Sequence, residues 1–379
     1  MRWLVVAALG ACSFSPGKLG GDAGQSDDVR VVTDANDLDA PGDMMIVAPA
    51  KVRSIDVTDA LVSGGPHTSF PLLVSISATW LRSKANAGDV ARDDAFDLYF
   101  ASDVAGTTRL SHEIEVYTPT TGDLVAWVKV PSLTPTTVIY LHYGDPANTT
   151  DPQAVANVWT AGYELVAHMD GSGDATGKST TATSTGLTAA TGKVGPAQAF
   201  DGSTSVADFG SDTALDNLWD GGGTAEGWVF ADTYGEAGFG RVFSKAWILF
   251  VVSDSTTGVT NSMSFYYSDG QWFAPSNSLS LGSWHHVSVR YDPSALTNKP
   301  IFFVDGVLVA TVDYAQPTAA LDDDLASTLV GDRPTRFRAF DGSLDELRLS
   351  SVVRGDAWLL TQYLNQAAPA AFYTVSAPL

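Results

Sequence analysis

The sequence predicts an all-β protein with two tandem β-sandwich domains. Its 379 residues exceed what one compact core usually holds, since domains commonly contain about 100–200 residues. Apolar residues make up 45% of the chain, which is enough to build two cores. Of the 43 acidic residues, 37 are aspartate and six are glutamate, and aspartate favours turns over helices. Short apolar alternations between turn residues indicate strands.

The net charge of the chain is strongly negative. Twenty-one lysines and arginines against 43 acids give −22 at pH 7. Such a surface repels the phosphate backbone of a nucleic acid instead of neutralising it. Nucleic acid is therefore excluded as the main partner.

The first residues have the pattern of an export signal. Arg2 precedes an apolar run over 3–9, and small residues lead to Cys12, the only cysteine. The run is far shorter than the ~20 residues of a membrane-spanning helix, so we expect its removal. The order Leu9-Gly10-Ala11-Cys12 resembles the lipobox of bacterial lipoproteins. This resemblance implies a signal peptide over 1–11, lipid on Cys12, and attachment of the protein to the outer membrane or cell surface of a bacterium.

The segment 12–50 is predicted to be a flexible acidic linker. It is rich in Gly, Asp and Pro and has little hydrophobic periodicity. A flexible chain of this length has an r.m.s. reach of roughly 30–40 Å. The linker would therefore hold a folded body clear of a lipid surface.

Residues 51–150 are predicted to form the first β-rich domain. The strands are expected at 70–76, 96–100, 112–117, 124–130 and 138–143, and the stretch near 80–85 is the one candidate helix. In the third strand, Ile114 and Val116 are expected on one face, and Glu113 and Glu115 on the other.

Four blocks of this region resemble a bacterial domain of unknown function, numbered twenty-three forty-one. The blocks are Asp97-Leu98-Tyr99-Phe100, Ser111-His112-Glu113-Ile114-Glu115, Ala126-Trp127-Val128-Lys129-Val130-Pro131 and Ile139-Tyr140-Leu141-His142-Tyr143-Gly144. The resemblance implies an exported protein and carries no established chemistry. Members of this family often precede a lectin-like jelly roll.

Residues 155–379 are predicted to form the second β-sandwich domain. Strands are expected at 163–169, 225–230, 241–252, 263–267, 284–291, 301–312 and 344–349. Asp305-Gly306 separates two apolar runs and is the pair best suited to a type I′ hairpin. Asp356 is expected to cap a short helix within 354–366, and 372–376 is expected to return as a last strand.

Five blocks of this second region resemble the laminin-G-like, concanavalin-A-like jelly roll family. They are Ala199-Phe200-Asp201-Gly202-Ser203, Glu226-Gly227-Trp228-Val229-Phe230, Gly282-Ser283-Trp284-His285-His286-Val287, Phe303-Val304-Asp305-Gly306 and the run from Phe340 to Leu349. The resemblance implies a jelly roll of two stacked antiparallel sheets.

The same resemblance implies a structural calcium ion. Jelly rolls of this type often use one cation to join the loop after the first strand to a late strand. The matching positions here are Asp174 and Asp345, with Asp170 as a weaker third. Aspartate supplies the hard oxygen ligands that calcium prefers. The alternative, that these aspartates form turns with their glycine neighbours, stays open.

An aromatic cluster is the candidate ligand-binding site of the second domain. Tyr266, Tyr267, Trp272 and Phe273 surround the turn residues 268–270. Exposed rings of this kind provide stacking surfaces for sugars. The alternative is that they belong to the sandwich core and a hairpin tip.

No signature of catalysis is found in the chain. Glucanases with this jelly roll need Glu, Asp and Glu on one strand face, but no glutamate here has an aspartate two positions later. The motifs His-Glu-x-x-His and Gly-x-Ser-x-Gly are missing as well. We therefore predict a binding protein that is not an enzyme, with a glycan as first ligand class. A structural or adhesion protein that contacts another envelope or surface protein is the alternative, and a glycoside hydrolase is less favoured.

Overall fold

The first module is a sandwich of two small antiparallel sheets. The computed structural model describes residues 50–171, 173–179, 182–246, 248–253 and 259–379, so the predicted signal peptide, Cys12 and the linker up to residue 49 lie outside the described residues. The strands are Lys51–Val57 (β1), His67–Ser77 (β2), Tyr99–Ala101 (β3), His112–Thr118 (β4), Asp123–Leu133 (β5) and Val138–Tyr143 (β6), with 3-10 turns at Asp59–Leu61, Thr79–Leu81 and Lys84–Asn86.

The last strand of the chain completes this first module. One sheet has the order β2-β5-β4, and the other contains β1, β6 and β3 together with Tyr373–Val375 (β23) at its edge. In the register, Ile55 pairs with Val375 and Val57 with Tyr373. The boundary 155–379 predicted for the second domain is therefore corrected, since its final residues belong to the first sandwich. Hydrophobic alternation identifies a strand but does not identify the strand with which it pairs.

The second module is a jelly roll of two larger antiparallel sheets. Its strands are Tyr163–Ala167 (β7), Thr183–Thr185 (β8), Thr188–Thr191 (β9), Pro196–Asp201 (β10), Val206–Asp208 (β11), Gly223–Ala231 (β12), Phe239–Lys245 (β13), Ile248–Ser253 (β14), Ser262–Tyr267 (β15), Gly270–Phe273 (β16), Trp284–Tyr291 (β17), Ile301–Val304 (β18), Val307–Val309 (β19), Val312–Ala315 (β20), Leu329–Val330 (β21) and Asp341–Ser350 (β22). The helical segments are Val155–Val158 (α1), Asp356–Ala367 (α2), Pro369–Phe372 (α3) and a 3-10 turn at Glu236–Gly238.

The two jelly-roll sheets enclose one large apolar core. The first has the order β19-β18-β17-β12-β22-β10-β9, with β7 also paired to β22. The second has the order β20-β16-β15-β14-β13-β21-β11-β8. Alternate side chains of both sheets, among them Phe265, Val287 and Leu347, meet between them.

The predicted hairpin at Asp305-Gly306 is confirmed. Both residues have positive φ, 51° and 71°, as a type I′ turn requires, and Val304 pairs with Val307 across the turn. The segment 241–252, predicted as one strand, instead forms the hairpin of β13 and β14.

Helix α2 joins the two modules. Asn365 accepts a hydrogen bond from the Leu73 N–H at 2.7 Å and donates to the Leu73 carbonyl at 3.0 Å, so its amide pairs with the edge strand β2. On the jelly-roll side, Gln362 donates to Glu226 at 2.8 Å. The described residues from 50 to 379 accordingly belong to one compact unit. In the described part of the chain, no helix is both long and apolar enough to cross a membrane.

The predicted cap of this helix is corrected. Gly355 occupies the N-cap position, and Asp356 is the first helical residue. Its carboxylate lies 2.5 Å from the guanidinium of Arg290, so Asp356 forms an ion pair instead of capping the helix.

Candidate functional site

A groove lies on the outer face of the second jelly-roll sheet. Along β15, Met263, Phe265 and Tyr267 enter the core, so the intervening Tyr266 faces outward. Tyr266 borders a depression of about 280 Å³, whose lining is Phe239, Arg241, Tyr266, Gln271, Tyr314, Arg333 and Arg338. We call this depression, with these residues, the arginine groove.

A second depression adjoins the arginine groove. It has a volume of about 360 Å³ and shares Tyr266 and Gln271 with the groove, while Ser268 and Asp269 complete its wall. Asp269 fixes the segment at Thr318, because its carboxylate accepts bonds from the backbone N–H and the hydroxyl of Thr318 at 2.8 and 2.7 Å. The two depressions together reach the size of ligand pockets, about 300–1,000 Å³.

The sheet divides the predicted aromatic cluster between its two faces. Tyr267 and Trp272 are almost completely buried within the jelly-roll core, so they cannot offer their rings to a ligand from solvent. Phe273 is also buried, and the exposed ring of Tyr314 meets it edge-on at 6.1 Å between centroids. Of the four predicted residues, only Tyr266 lines the groove. The expectation of four exposed rings is therefore corrected, because neighbouring strand residues point to opposite faces.

Three arginines give the groove its charge. Arg241 extends from β13, and its backbone N–H donates to the Arg338 carbonyl at 3.0 Å, which sets the two residues side by side. The guanidinium carbons of Arg333 and Arg338 lie 5.5 and 5.3 Å from the ring centroid of Phe337. That of Arg241 lies 5.4 Å from the Tyr266 ring. Burial, together with these neighbouring cations, lowers the pKa of Arg241 to about 10, so it remains charged at pH 7.

A buried cluster of charged side chains lies between the two modules. Four of the six glutamates of the chain are buried here, Glu113 and Glu115 from β4 together with Glu226 and Glu346 from the jelly roll. Trp159 donates to Glu113 at 2.8 Å, and Trp127 donates to Glu115 at 3.0 Å.

His168 and Arg348 balance part of this negative charge. Arg348 donates to Glu346 at 2.5 Å, and its guanidinium carbon lies 4.3 Å from the centroid of the Trp127 ring. Burial opposes a charge on His168, but Glu346 and Glu113 outweigh it and raise the pKa of His168 well above its usual range. Burial and the charge of Glu346 raise the pKa of Glu115 to about 9.

A β-bulge in β4 turns Val116 toward the second module. The register of β4 shifts between Ile114 and Val116, so Ile114 packs on the first core whereas Val116 packs on the apolar contact between the modules. The prediction that Ile114 and Val116 share a face is therefore wrong.

The predicted calcium ligands are engaged in other contacts. Asp174 accepts bonds from the N–H groups of Val166 and Thr176 at 3.0 Å each, and from that of Ser179 at 2.8 Å. These contacts agree with the turn-forming alternative. Asp345 is buried, and its Oδ2 accepts the N–H groups of Lys193 and Val194, while Asp170 lies on the loop after β7.

One group in the described residues combines three potential metal ligands, and it contains none of the predicted aspartates. It consists of Glu115, His168 and Glu346. Two cations already face Glu346 there, since His168 Nδ1 lies 2.7 Å from one carboxylate oxygen and Arg348 bonds the other. The group can therefore be held together by its own ion pairs. Calcium at Asp174, Asp345 and Asp170 stays a prediction.

A chain of hydrogen bonds joins Ser280, His285 and Asp305 near the start of β17. His285 Nδ1 lies 2.8 Å from an oxygen of Asp305, and Nε2 lies 2.7 Å from the Ser280 hydroxyl. Serine hydrolases activate their nucleophile through this order of groups. The other Asp305 oxygen accepts the His286 N–H at 3.0 Å, so Asp305 also connects the hairpin turn to β17.

Two features of the groove are visible in the sequence. Arg333, Arg336 and Arg338 fall within six residues of a chain that has only 21 lysines and arginines. The alternation of β15 also separates Tyr266 from its neighbours. Arg241 has no such local signal, because only the sheet brings it to Arg338.

Two family models match parts of the chain. Residues 94–183 match the model described as domain of unknown function (DUF2341), and residues 201–359 match that of the concanavalin A-like lectin/glucanases superfamily. No curated protein is similar to the chain.

Several solved structures are similar in fold to part of the chain. Domain 4 of AbnA, a GH43 extracellular arabinanase from Geobacillus stearothermophilus solved with arabinotriose, is 17% identical, with a TM-score of 0.42, over 53% of this chain and 98% of that one. The binding domain of Paraclostridial Mosquitocidal Protein 1 is 8% identical, with a TM-score of 0.41, over 53% and 52%. A Trypanosoma rangeli sialidase is 15% identical, with a TM-score of 0.35, over 48% and 29%. The chain thus spans about half or less of the second and third of these. The chain itself contains a DUF2341 domain followed by a concanavalin A-like jelly roll domain.

Proposed function

We propose that the protein is a binding module for carbohydrate and that the arginine groove is its binding surface. The observation that carries this proposal is a pair of tyrosines, half-buried Tyr266 and exposed Tyr314, that border one groove outside the jelly-roll core. Aromatic rings stack on the apolar faces of sugars, while polar groups nearby fix their hydroxyls. Gln271 and the arginines supply such groups, and the concanavalin A-like family makes a lectin role the first hypothesis.

The proposal includes attachment of the module to the cell envelope by lipid. It depends on Cys12 and the preceding signal pattern, since several acyl chains hold a protein on a membrane without a spanning helix. In a bacterial host fed with an alkyne fatty acid, the wild-type chain should acquire the label and sediment with the membranes. The Cys12→Ser variant should lose both properties. Label on the variant would contradict the lipid anchor.

The test of carbohydrate binding compares three tyrosine variants on a glycan array. Tyr266→Ala and Tyr314→Ala remove groove rings from the outer face, so binding should weaken about tenfold or more while the fold is retained. Tyr140→Ala is the matched control, because this tyrosine lies on β6 of the first module. Equal binding by all variants would place the ligand elsewhere.

An adhesion role is the alternative outcome of the same experiment. If no glycan is bound, but cross-linking on cells captures another envelope protein through the jelly roll, the protein is a structural or adhesion module. Loss of that cross-link in the Tyr314→Ala variant would then assign the same groove to a protein partner.

A further inference from the structure

The arginine groove concentrates positive charge on a strongly acidic protein. The chain carries −22, yet Arg241, Arg333 and Arg338 line one depression. Among the described residues, none of the three forms an ion pair with a carboxylate within 4.0 Å. Three other described arginines do form such pairs, namely Arg92, Arg290 and Arg348. The groove therefore contains a local excess of cations.

Arg241 is the least satisfied member of this group. Its side chain belongs to a residue that is only 6% exposed, and its Nε and Nη1 atoms have no hydrogen-bond partner within the described part of the chain. Buried charged donors without partners are costly, and native proteins rarely retain them without a reason. An anionic ligand against the Arg241 guanidinium would offset the cost of burying this charge.

A buried carboxylate beside the arginines does not pair with their side chains. Asp332 is buried, and its Oδ1 accepts the backbone N–H groups of Arg333 and Arg338 at 2.7 and 3.0 Å. Its role is to shape the loop that presents these arginines. Three guanidinium groups against one such carboxylate still leave a net positive groove.

We infer that the groove binds a carboxylated saccharide, with the carboxylate at the arginines and a sugar ring against Tyr266 and Tyr314. The inference rests on the proposed function and deepens it by naming the ligand class. A guanidinium presents its donors in a planar fork that matches a carboxylate with two parallel bonds. Asp269 repels a second anion in the adjoining depression, so we expect a neutral part of the ligand there.

The experiment uses pairs of polysaccharides that differ only in charge. Polygalacturonate, alginate and hyaluronan are each compared with a carboxyl-reduced form, in which every uronate has become a neutral hexose. Binding of the mature chain is measured by isothermal titration at 50 and 300 mM NaCl. We expect at least one acidic polymer to bind about tenfold or more tightly than its reduced form, and added salt to weaken that binding.

Arginine variants connect this preference to the groove. Arg338→Gln should weaken binding of the acidic polymer about tenfold and weaken any binding of the reduced form by a clearly smaller factor, because the reduced form has no carboxylate whose bonds could be lost. Arg336→Gln is the matched control, because Arg336 is an exposed arginine of the same loop outside the groove lining. It removes an equal charge and should change binding less than twofold.

The outcomes separate the two proposals. Equal binding of acidic and reduced polymers would overturn the carboxylate inference but leave the proposal of carbohydrate binding intact. Binding of neutral glycans alone would have the same two consequences. An equal loss in the Arg336→Gln and Arg338→Gln variants would overturn it too, because general charge would then explain the preference. Absence of binding to every acidic and neutral polymer would overturn both proposals.

Discussion

The imidazole of His168 lies between carboxylates of both modules. Its Nδ1 is 2.7 Å from an oxygen of Glu346 in the jelly roll, and its Nε2 is 3.2 Å from an oxygen of Glu113 in the first module. All three side chains are almost fully withdrawn from solvent. The contact between the modules is therefore as buried as a domain core, and we expect its stability to depend on protonation.

The stability of the protein should fall as the pH rises from 7 to 9. The Glu115 carboxyl releases its proton near pH 4.5 when unfolded and only near pH 9 when folded, so the folded state binds the additional proton between these values. The free energy of unfolding then decreases with pH by up to about 1.4 kcal/mol per pH unit. His168, whose pKa is also raised, acts in the same direction above pH 6.5. Thermal unfolding followed by circular dichroism measures the slope.

Buried histidines whose pKa is lowered in the folded protein have the opposite effect on stability, but they do not contribute between pH 7 and 9. Burial lowers the pKa of His112, and burial lowers that of His286 to about 3, so their effect on stability is confined to pH values below about 6.5. In the Glu115→Gln variant, which has no proton to lose at this position, the decline from pH 7 to 9 should be shallower. An unchanged slope in this variant would rule out Glu115 as the source.

The burial of these glutamates was not predictable from local sequence. Glu113 and Glu115 alternate with apolar residues in β4, a pattern that normally indicates a solvent-exposed face. That face is covered by β7 and the loop at Val194, more than 40 positions away in the chain, and only tertiary structure brings them together. The Asp305-Gly306 hairpin was predictable because its two strands and its turn are adjacent in sequence.

Substitution of Trp272 should affect folding and not ligand contact. Its indole lies in the jelly-roll core beside Phe265 and Tyr291, so Trp272→Ala leaves a large cavity and should lower the free energy of unfolding by about 3–5 kcal/mol. Tyr266→Ala on the outer face should cost less than half as much. Urea denaturation of both variants provides the comparison. A stable Trp272→Ala protein that has lost glycan binding would restore this residue to the binding site.

The position of the aromatic cluster shows where the sequence stops being informative. Alternation places Tyr267 on the apolar face of β15 and Tyr266 on the face that carries two serines, so the opposite orientation of the two tyrosines is visible in the sequence. Met263 and Phe265 share the face of Tyr267 and join the large cluster between the sheets. Arg241 enters the groove from another strand, so its contribution depends on sheet order.

Asp174 should stabilise the protein whether or not calcium is present. Its carboxylate accepts one backbone N–H group of β7 and several of the loop that follows, and the Asp174→Ala variant leaves those donors without partners at a cost of about 1–3 kcal/mol. The melting temperature of this variant should therefore lie below that of the wild-type protein by the same amount in calcium and in chelator. If chelator alone lowers the wild-type melting temperature to that of the variant, Asp174 is a calcium ligand, as the sequence predicts.

Ser280 should not react as a catalytic nucleophile, in spite of its hydrogen bond to His285. Acyl transfer by a serine needs free N–H donors that stabilise the oxyanion, in addition to the histidine and the aspartate. In the same turn, the Gly282 N–H already donates to the Ala231 carbonyl at 2.9 Å. A fluorophosphonate probe should therefore label the wild-type protein no more than a Ser280→Ala variant. Ser283→Ala is the matched control, since this hydroxyl lies 3.2 Å from the same His285 nitrogen. Labelling that disappears only in Ser280→Ala would show that the bond activates Ser280, and the protein would then be an enzyme as well as a binding module.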